Sequence, residues 1–195
     1  AREQAIEAKR NYVDIAFYAE DPAPLHRDAQ KAGVAIMPDC GLAPGISNLV
    51  VGQAIARGMP DEIHIQVGGV AADPKRPCGY VVTWSVEDLL EEYVRPARIV
   101  RGGKSVAVPV FSDLVRIQVD GVGEMESFLT DGLRTLLDCG VREATEKTLR
   151  WPGHVHAIQP LLASGRFVEE LKAKCAGGDD LVVLLIDVVR SGKRE

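Results

Sequence analysis

The spacing of apolar and polar positions changes character near residue 58. Before it, short apolar runs alternate with helical spacings. Tyr12-Val13-Asp14-Ile15-Ala16-Phe17 is rich in β-formers and predicts a buried strand. Pro24 to Lys31 predicts a helix, which Gly33 closes as the left-handed residue after its end. Val34 to Pro38 predicts the next strand, and Ile46, Leu49, Val50 and Ala54 share one face of a following helix. An alanine- and glutamate-rich helix over Arg2 to Arg10 precedes all of this. Strand, helix, strand, helix is the order of a parallel α/β unit. Two such strands leave faces and edges uncovered, so this region reads as the end of a larger sheet.

Gly58-Met59-Pro60 marks the boundary. Beyond it, Glu62 to Val67 alternates polar and apolar as a half-buried strand does. Gly68 to Pro77 reads as a loop, and Tyr80 to Trp84 as a strand. Val86 to Val94 predicts a helix with Val86, Leu89, Leu90 and Tyr93 on one face, capped by Ser85 with Asp88 three residues on. Ala97 to Val100 and Ser105 to Val108, joined through Gly102-Gly103, predict a hairpin. Leu114 to Val119 alternates again, and Thr130 to Leu137 predicts a short helix capped by Thr130. Ile158 to Leu162 and Phe167 to Lys174 read as helices, Leu181 to Val189 as a last strand. Strands outnumber helices and connect by hairpins, which predicts a mixed, mostly antiparallel sheet with helices on one face.

A length of 195 residues suits one large or two small domains. The net charge of −5 argues against a nucleic-acid partner, which needs a basic face. No apolar run approaches the roughly 20 residues of a spanning helix, so no membrane partner is expected. Four dispersed cysteines without a C-x-x-C pair read as reduced thiols of a cytoplasmic protein.

Candidate chemistry gathers at few places. In Met37 to Asn48, Gly41 and Gly45 let backbone approach closely. Pro44 suits the first turn of a helix. A loop at a strand's carboxyl end leading into a helix is where open α/β sheets bind ligands. Asp39 there suits an electrostatic or capping role, and Asn48 either donates to a ligand or is solvated. Trp84-Ser85 is a pocket wall or a core tryptophan beside a helix cap. Arg150 is a carboxylate fork or a surface ion pair. His154 and His156 would share one side of a strand, but two ligands without a third do not make a metal site, and none is assigned. His154 titrates near neutrality and can move a proton, or holds a structural hydrogen bond. Capping accounts for Thr130 and Asp131; with a pocket beside them, Asp131 would meet an amine. Glu91 and Glu92 read as solvated.

Asp39-Cys40-Gly41-Leu42-Ala43-Pro44-Gly45-Ile46-Ser47-Asn48 resembles the G-L-x-P-G segment of the saccharopine dehydrogenase family, and its lysine 6-dehydrogenase-like branch in particular. Tyr80 to Ser85, Arg95 to Arg98, Phe128 to Arg134 and Thr148 to His154 extend the likeness in the family's order. The resemblance implies the C-terminal part of a Rossmann dinucleotide-binding domain over residues 1–57. A substrate-binding and dimerisation domain of α+β type would follow over 58–195. It implies NAD or NADP as cofactor, with Tyr18, Cys40, Gly41, Leu42, Pro44 and Asn48 facing the nicotinamide end. It implies an amino-acid substrate such as lysine or saccharopine, held by Trp84, Ser85, Thr130 and Arg150, with Asp131 and His154 as catalytic candidates. No G-x-G-x-x-G phosphate loop follows a strand, so the chain is expected to be an inactive fragment of a homodimeric dehydrogenase. A non-catalytic dimerisation or metabolite-binding module is the alternative.

Overall fold

A computed structural model describes residues 1–16 and 22–194. The chain forms two compact units, residues 1–50 and 51–195. In the first, helix α1 (Arg2–Glu7) leads to strand β1 (Tyr12–Val13), and helix α2 (His26–Ala32) to strand β2 (Ile36–Met37). The two strands pair in parallel, Tyr12 opposite Ile36 and Val13 opposite Met37. Gly33 closes α2 in the left-handed conformation at φ 69°, as its position predicts. The predicted strand end at Phe17 and the loop with Tyr18 lie outside the described residues.

The turn after β2 folds on itself. Gly41 N–H donates to Pro44 O at 3.0 Å, and Ile46 N–H donates back to Gly41 O at 2.9 Å. Gly45 has φ 138°, and a Cβ there would lie 2.0 Å from Gly41 O, so both backbone conformation and space demand glycine. Helix α3 (Ile46–Ala56) follows. It starts two residues after Pro44, which therefore belongs to the turn and not to the first helical turn.

The second unit carries strands β3 (Glu62–Ala71), β4 (Ala97–Arg101), β5 (Lys104–Val108), β6 (Val115–Val119), β7 (Gly123–Leu129), β8 (Glu143–Arg150), β9 (Asp180–Arg190) and β10 (Lys193–Arg194). They form one mixed sheet in the order β10-β9-β3-β8-β4-β5. β7 joins the far half of β8, and β6 pairs with β7. Among the described residues of this sheet only β3 and β8 pair in parallel. The mixed, mostly antiparallel sheet expected from the alternating segments is therefore present.

Two expected loops and strands differ. β3 continues through Gly68 and Gly69, which the composition had marked as loop. A Cβ on Gly68 would lie 2.2 Å from Leu149 O, so glycine here serves close strand packing rather than a turn. Tyr80 to Trp84 forms no strand. Its backbone leaves a short 3₁₀ turn (Pro77–Gly79) and runs directly into helix α4 (Val86–Val94), with Val82 N–H donating to Cys175 O at 2.9 Å.

Helices α4, α5 (His154–Ala163) and α6 (Phe167–Lys174) supply most of one core. Val86, Leu89 and Tyr93 of α4 meet Val155 and Ile158 of α5, Phe167 and Leu171 of α6, and Phe128 of β7. Ser85 Oγ accepts Asp88 N–H at 3.2 Å and caps α4. A second core of Val70, Val119, Met125, Leu149 and Val183 joins β3, β6, β7, β8 and β9. Among the described residues no helix is long and apolar enough to cross a membrane.

Candidate functional site

Side chains on a strand alternate between faces, so Glu146, Thr148 and Arg150 of β8 share one. Glu126 and Phe128 on β7, with Thr130 just beyond it, stand beside them: Glu126 pairs with Arg150 and Phe128 with Thr148, while Thr130 N–H donates to Glu146 O at 3.3 Å. These rows are buried, and five of their six side chains are polar. Buried polar groups persist only when partnered.

Arg150 is 3% exposed. Its Nε–H donates to Tyr93 Oη at 2.8 Å and Nη1–H to Leu149 O at 3.0 Å. Nη2 stands 3.7 Å from Glu92 Oε1, an ion pair beyond hydrogen-bond reach. The guanidinium lies 5.4 Å from the Tyr80 ring centroid and 5.7 Å from that of Tyr93. Burial disfavours its charge, but Tyr93, Glu92 and Tyr80 outweigh that and hold it firmly protonated.

The hydrogen bonds fix their own direction. Cys78 O can only accept, so His154 Nδ1–H donates to it, at 2.7 Å. A neutral imidazole then offers Nε2 as acceptor, and Tyr93 O–H donates to it at 2.9 Å. Burial, reinforced by the Arg150 charge, pushes the His154 ring down to about 3, so it stays neutral at physiological pH. Its lone pair is committed to Tyr93, an arrangement that orients Tyr93 and Arg150. His154 and His156 do not share a strand face. They open α5 because Gly153, at φ 92°, turns the chain and buried Glu126 accepts Gly153 N–H at 2.7 Å and Val155 N–H at 3.1 Å. His154 is consequently buried and His156 exposed.

Thr148 O–H donates to Glu92 Oε1 at 2.6 Å, and Thr130 supplies the proton of the 2.9 Å contact between the two threonines. Thr130 therefore works within the polar rows and caps no helix; only a 3₁₀ turn (Arg134–Asp138) follows. Glu92 is not solvated: its side chain is 15% exposed and set between Arg150 and Thr148. The sequence shows it as one of two adjacent acids on α4, and only the helix phase after Leu89 and Tyr93 separates it from Glu91.

Asp131 is already committed. Arg98 donates to both its oxygens, at 2.7 and 2.8 Å, and Arg95 Nη1 lies 3.6 Å away. Glu146 is the contrasting carboxyl: buried, with Oε2 lacking a hydrogen-bond partner. Burial first, then the charges of Glu92 and Asp131, raise it well above the carboxylate range. A Cβ on Gly132 would lie 1.2 Å from Glu146 Oε2, and Gly132 does not have positive φ. Glycine at 132 thus makes room for that carboxyl.

Trp84 borders this cluster beside Tyr80, whose hydroxyl burial raises to about 12. The indole is 39% exposed. Trp84, Thr130 and Arg150 thus belong to one connected set, joined by Tyr80, Glu92 and Thr148. Ser85 stands next to it with its hydroxyl turned to the α4 cap. Cys40, Gly41, Leu42, Pro44 and Asn48 all lie on the turn into α3, where Asn48 Oδ1 accepts Gly45 N–H at 3.1 Å. Tyr18 is outside the described residues. Among the described residues no group of three metal-binding side chains occurs.

Comparison with known proteins gives a consistent answer. The family profile described as saccharopine dehydrogenase C-terminal domain matches residues 41–187. Alpha-aminoadipic semialdehyde synthase of Arabidopsis thaliana is 25% identical over 115 residues, covering 53% of this chain and 10% of that protein. The apo saccharopine dehydrogenase (L-Glu forming) of Saccharomyces cerevisiae superposes with a TM-score of 0.62 at 21% identity, covering 84% of this chain and 40% of that one. The homospermidine synthase of Legionella pneumophila, solved in complex with NAD, superposes with a TM-score of 0.56 at 16% identity, covering 96% and 55%. The chain thus spans from a tenth to just over half of the length of these three proteins.

Proposed function

The chain belongs to the saccharopine dehydrogenase family, and on that premise we propose that it is the substrate-binding part of a nicotinamide-dependent oxidoreductase. The reaction is oxidation at a CH–NH group of an amino acid, lysine or a relative such as saccharopine. Residues 58–195 bind substrate and pair with a second copy, and residues 1–57 complete a dinucleotide-binding domain. The lysine 6-dehydrogenase-like reading rests on the ordered motifs from Gly41 to His154.

Arg150 beside Glu92 carries this reading. A buried cation and a half-buried carboxylate face each other at 3.7 Å without a hydrogen bond between them. Such a pair matches the head group of an α-amino acid, whose carboxylate suits the Arg150 fork and whose ammonium suits Glu92. Tyr93 and His154 hold the guanidinium in place, Thr148 and Thr130 hold the carboxylate, and the Trp84 indole walls the aliphatic chain. Asp131, bound by two arginines, keeps a structural role in this scheme, and Glu146 is the carboxyl left with proton capacity.

The turn at Gly41 to Gly45 fits a nicotinamide approach in one respect: no side chain stands on either glycine, and its backbone is held rigid by its own hydrogen bonds. The cofactor would supply the hydride acceptor. No Gly-rich phosphate loop occurs in the 195 residues, so the turn is proposed to meet only the nicotinamide end, and these residues alone are expected not to turn over.

Substrate analogues test this, assayed in a polypeptide that supplies a phosphate loop. Arg150→Gln should raise KM for lysine at least about tenfold, the effect of one lost charged hydrogen bond. It should leave cadaverine, which lacks the carboxylate, unchanged. Glu92→Gln should affect lysine and spare 6-aminohexanoate, which lacks the α-amine. Equal losses on every analogue would reduce both residues to structural ones and overturn the reading.

A further inference from the structure

Two cysteines far apart in sequence meet where segment 76–82 is clamped to segment 175–177. Arg76 Nη2 donates to Ala176 O at 3.1 Å and to Gly177 O at 2.6 Å. Cys175 Sγ–H reaches Pro77 O at 3.3 Å, and Val82 N–H donates to Cys175 O at 2.9 Å. Cys78 lies inside this clamp and packs against the core that includes Cys175. The Cys175 thiol thus lies beside the carbonyl that precedes Cys78, close enough for each thiol to perturb the other. Both are free, Cys78 half-buried and Cys175 fully buried.

Cys78 is unlike an ordinary core cysteine. It holds the left-handed conformation, φ 56° and ψ 9°, which a side chain rarely adopts. Its carbonyl anchors His154, and through His154 the Tyr93 and Arg150 arrangement. A change at Cys78 is therefore placed to reach the substrate cluster.

We propose that Cys78 and Cys175 are a reversible oxidation site, in which Cys78 reacts with a peroxide and Cys175 resolves it as an intramolecular disulfide. The Cys78 thiolate attacks one peroxide oxygen and breaks the O–O bond, giving a sulfenic acid and hydroxide, which takes up a proton as water. Cys175 sulfur then attacks the Cys78 sulfur; the S–S bond forms, the S–O bond breaks, and the hydroxyl leaves as water with the Cys175 proton. Two thiols are oxidised and one peroxide is reduced to two waters. The neighbouring Cys175 thiol holds the Cys78 thiol down to about 7, against the opposing effect of its burial. Conversely, the nearness of Cys78 keeps the proton on Cys175 until the Cys78 charge is gone. Cys175 thus serves first to lower the Cys78 thiol and then as second nucleophile. The proposal does not depend on the substrate reading.

Peptide mapping of the chain after hydrogen peroxide treatment decides it. The expected product is one disulfide between the Cys78 and Cys175 peptides, with loss of two hydrogens, full loss of alkylation at both, and recovery by dithiothreitol. Cys175→Ala should stop at a Cys78 sulfenic acid that dimedone traps. If that variant does not fold, Cys78→Ser gives the converse test, because Cys175 should then resist peroxide. Cys40 and Cys139 serve as internal references. A Cys78 sulfinic acid beside reduced Cys175 would overturn the proposal, as would disulfides to Cys40 or Cys139, or a pair that stays reduced.

Discussion

Leu149 and the row Glu146, Thr148 and Arg150 lie on opposite faces of β8, all buried and opposite in chemistry. One face sends Leu149 into an apolar core with Val70, Met125 and Val183. The other carries Glu146, Thr148 and Arg150 beneath the helices. Burying Leu149 contributes to stability directly, in proportion to the apolar area removed from water. Burying the other three costs free energy unless each finds partners. Arg150 and Thr148 find them; Glu146 Oε2 does not. A face so composed contributes little net stability, and its retention in the interior points to chemistry. Leu149 anchors the strand, and the buried polar row opposite it is the part the proposed function draws on.

The largest effect should come from removing the charge at the centre of that polar face. Arg150→Ala leaves Glu92 without its cation and Tyr93 without a donor, and should cost about 3–5 kcal/mol in denaturant unfolding. A loss under 1 kcal/mol would mean that the guanidinium is not held as described.

Acid should act next, through His154. Its folded value lies below its unfolded value, so the unfolded chain binds more protons between them. Stability is therefore present above pH 6.5 and falls as pH drops toward 3, by an amount on the order of a few kcal/mol. His154→Gln, which can still accept from Tyr93, should flatten that part of the pH–stability curve. An unchanged acid limb would place the titration elsewhere.

Glu146 has the opposite sign. Its folded value is raised, so the native chain binds the extra proton. Its contribution is complete below the unfolded value and is lost as pH rises through the folded one. Glu146→Gln should therefore stabilise the protein increasingly as pH rises, measured by thermal unfolding across the neutral range. The smallest effect is local: Ser85→Ala removes the α4 cap and should cost about 1 kcal/mol, independent of pH above the carboxylate range.

The sequence disclosed these regions unequally, for physical reasons. Helix α4 was legible because apolar positions at Val86, Leu89 and Tyr93 and a serine cap point the same way. The hairpin of β4 and β5 was legible from Gly102-Gly103. The polar rows were not, because alternation reveals a strand but not which face is buried when both faces carry polar residues, as Thr145 to Arg150 do. Glu92 looked solvated because a local pattern cannot show that β8 brings Thr148 and Arg150 to it from more than fifty residues away. His154 looked like a strand residue because the cap that starts α5 comes from Glu126, on a different strand. Gly68 read as a loop residue and Gly132 as part of a short helix, whereas both are glycine to make room for a neighbour.

The sharpest test sets Thr148→Val against Leu149→Ala, measuring unfolding and, for the proposed reaction, lysine oxidation per folded molecule. Thr148→Val should cost about 1–2 kcal/mol of stability and at least tenfold in kcat/KM. Leu149→Ala should cost about 2–5 kcal/mol and leave the activity of the folded fraction near wild type. The reverse assignment, with activity lost through Leu149 and kept through Thr148, would contradict the division of labour between the two faces.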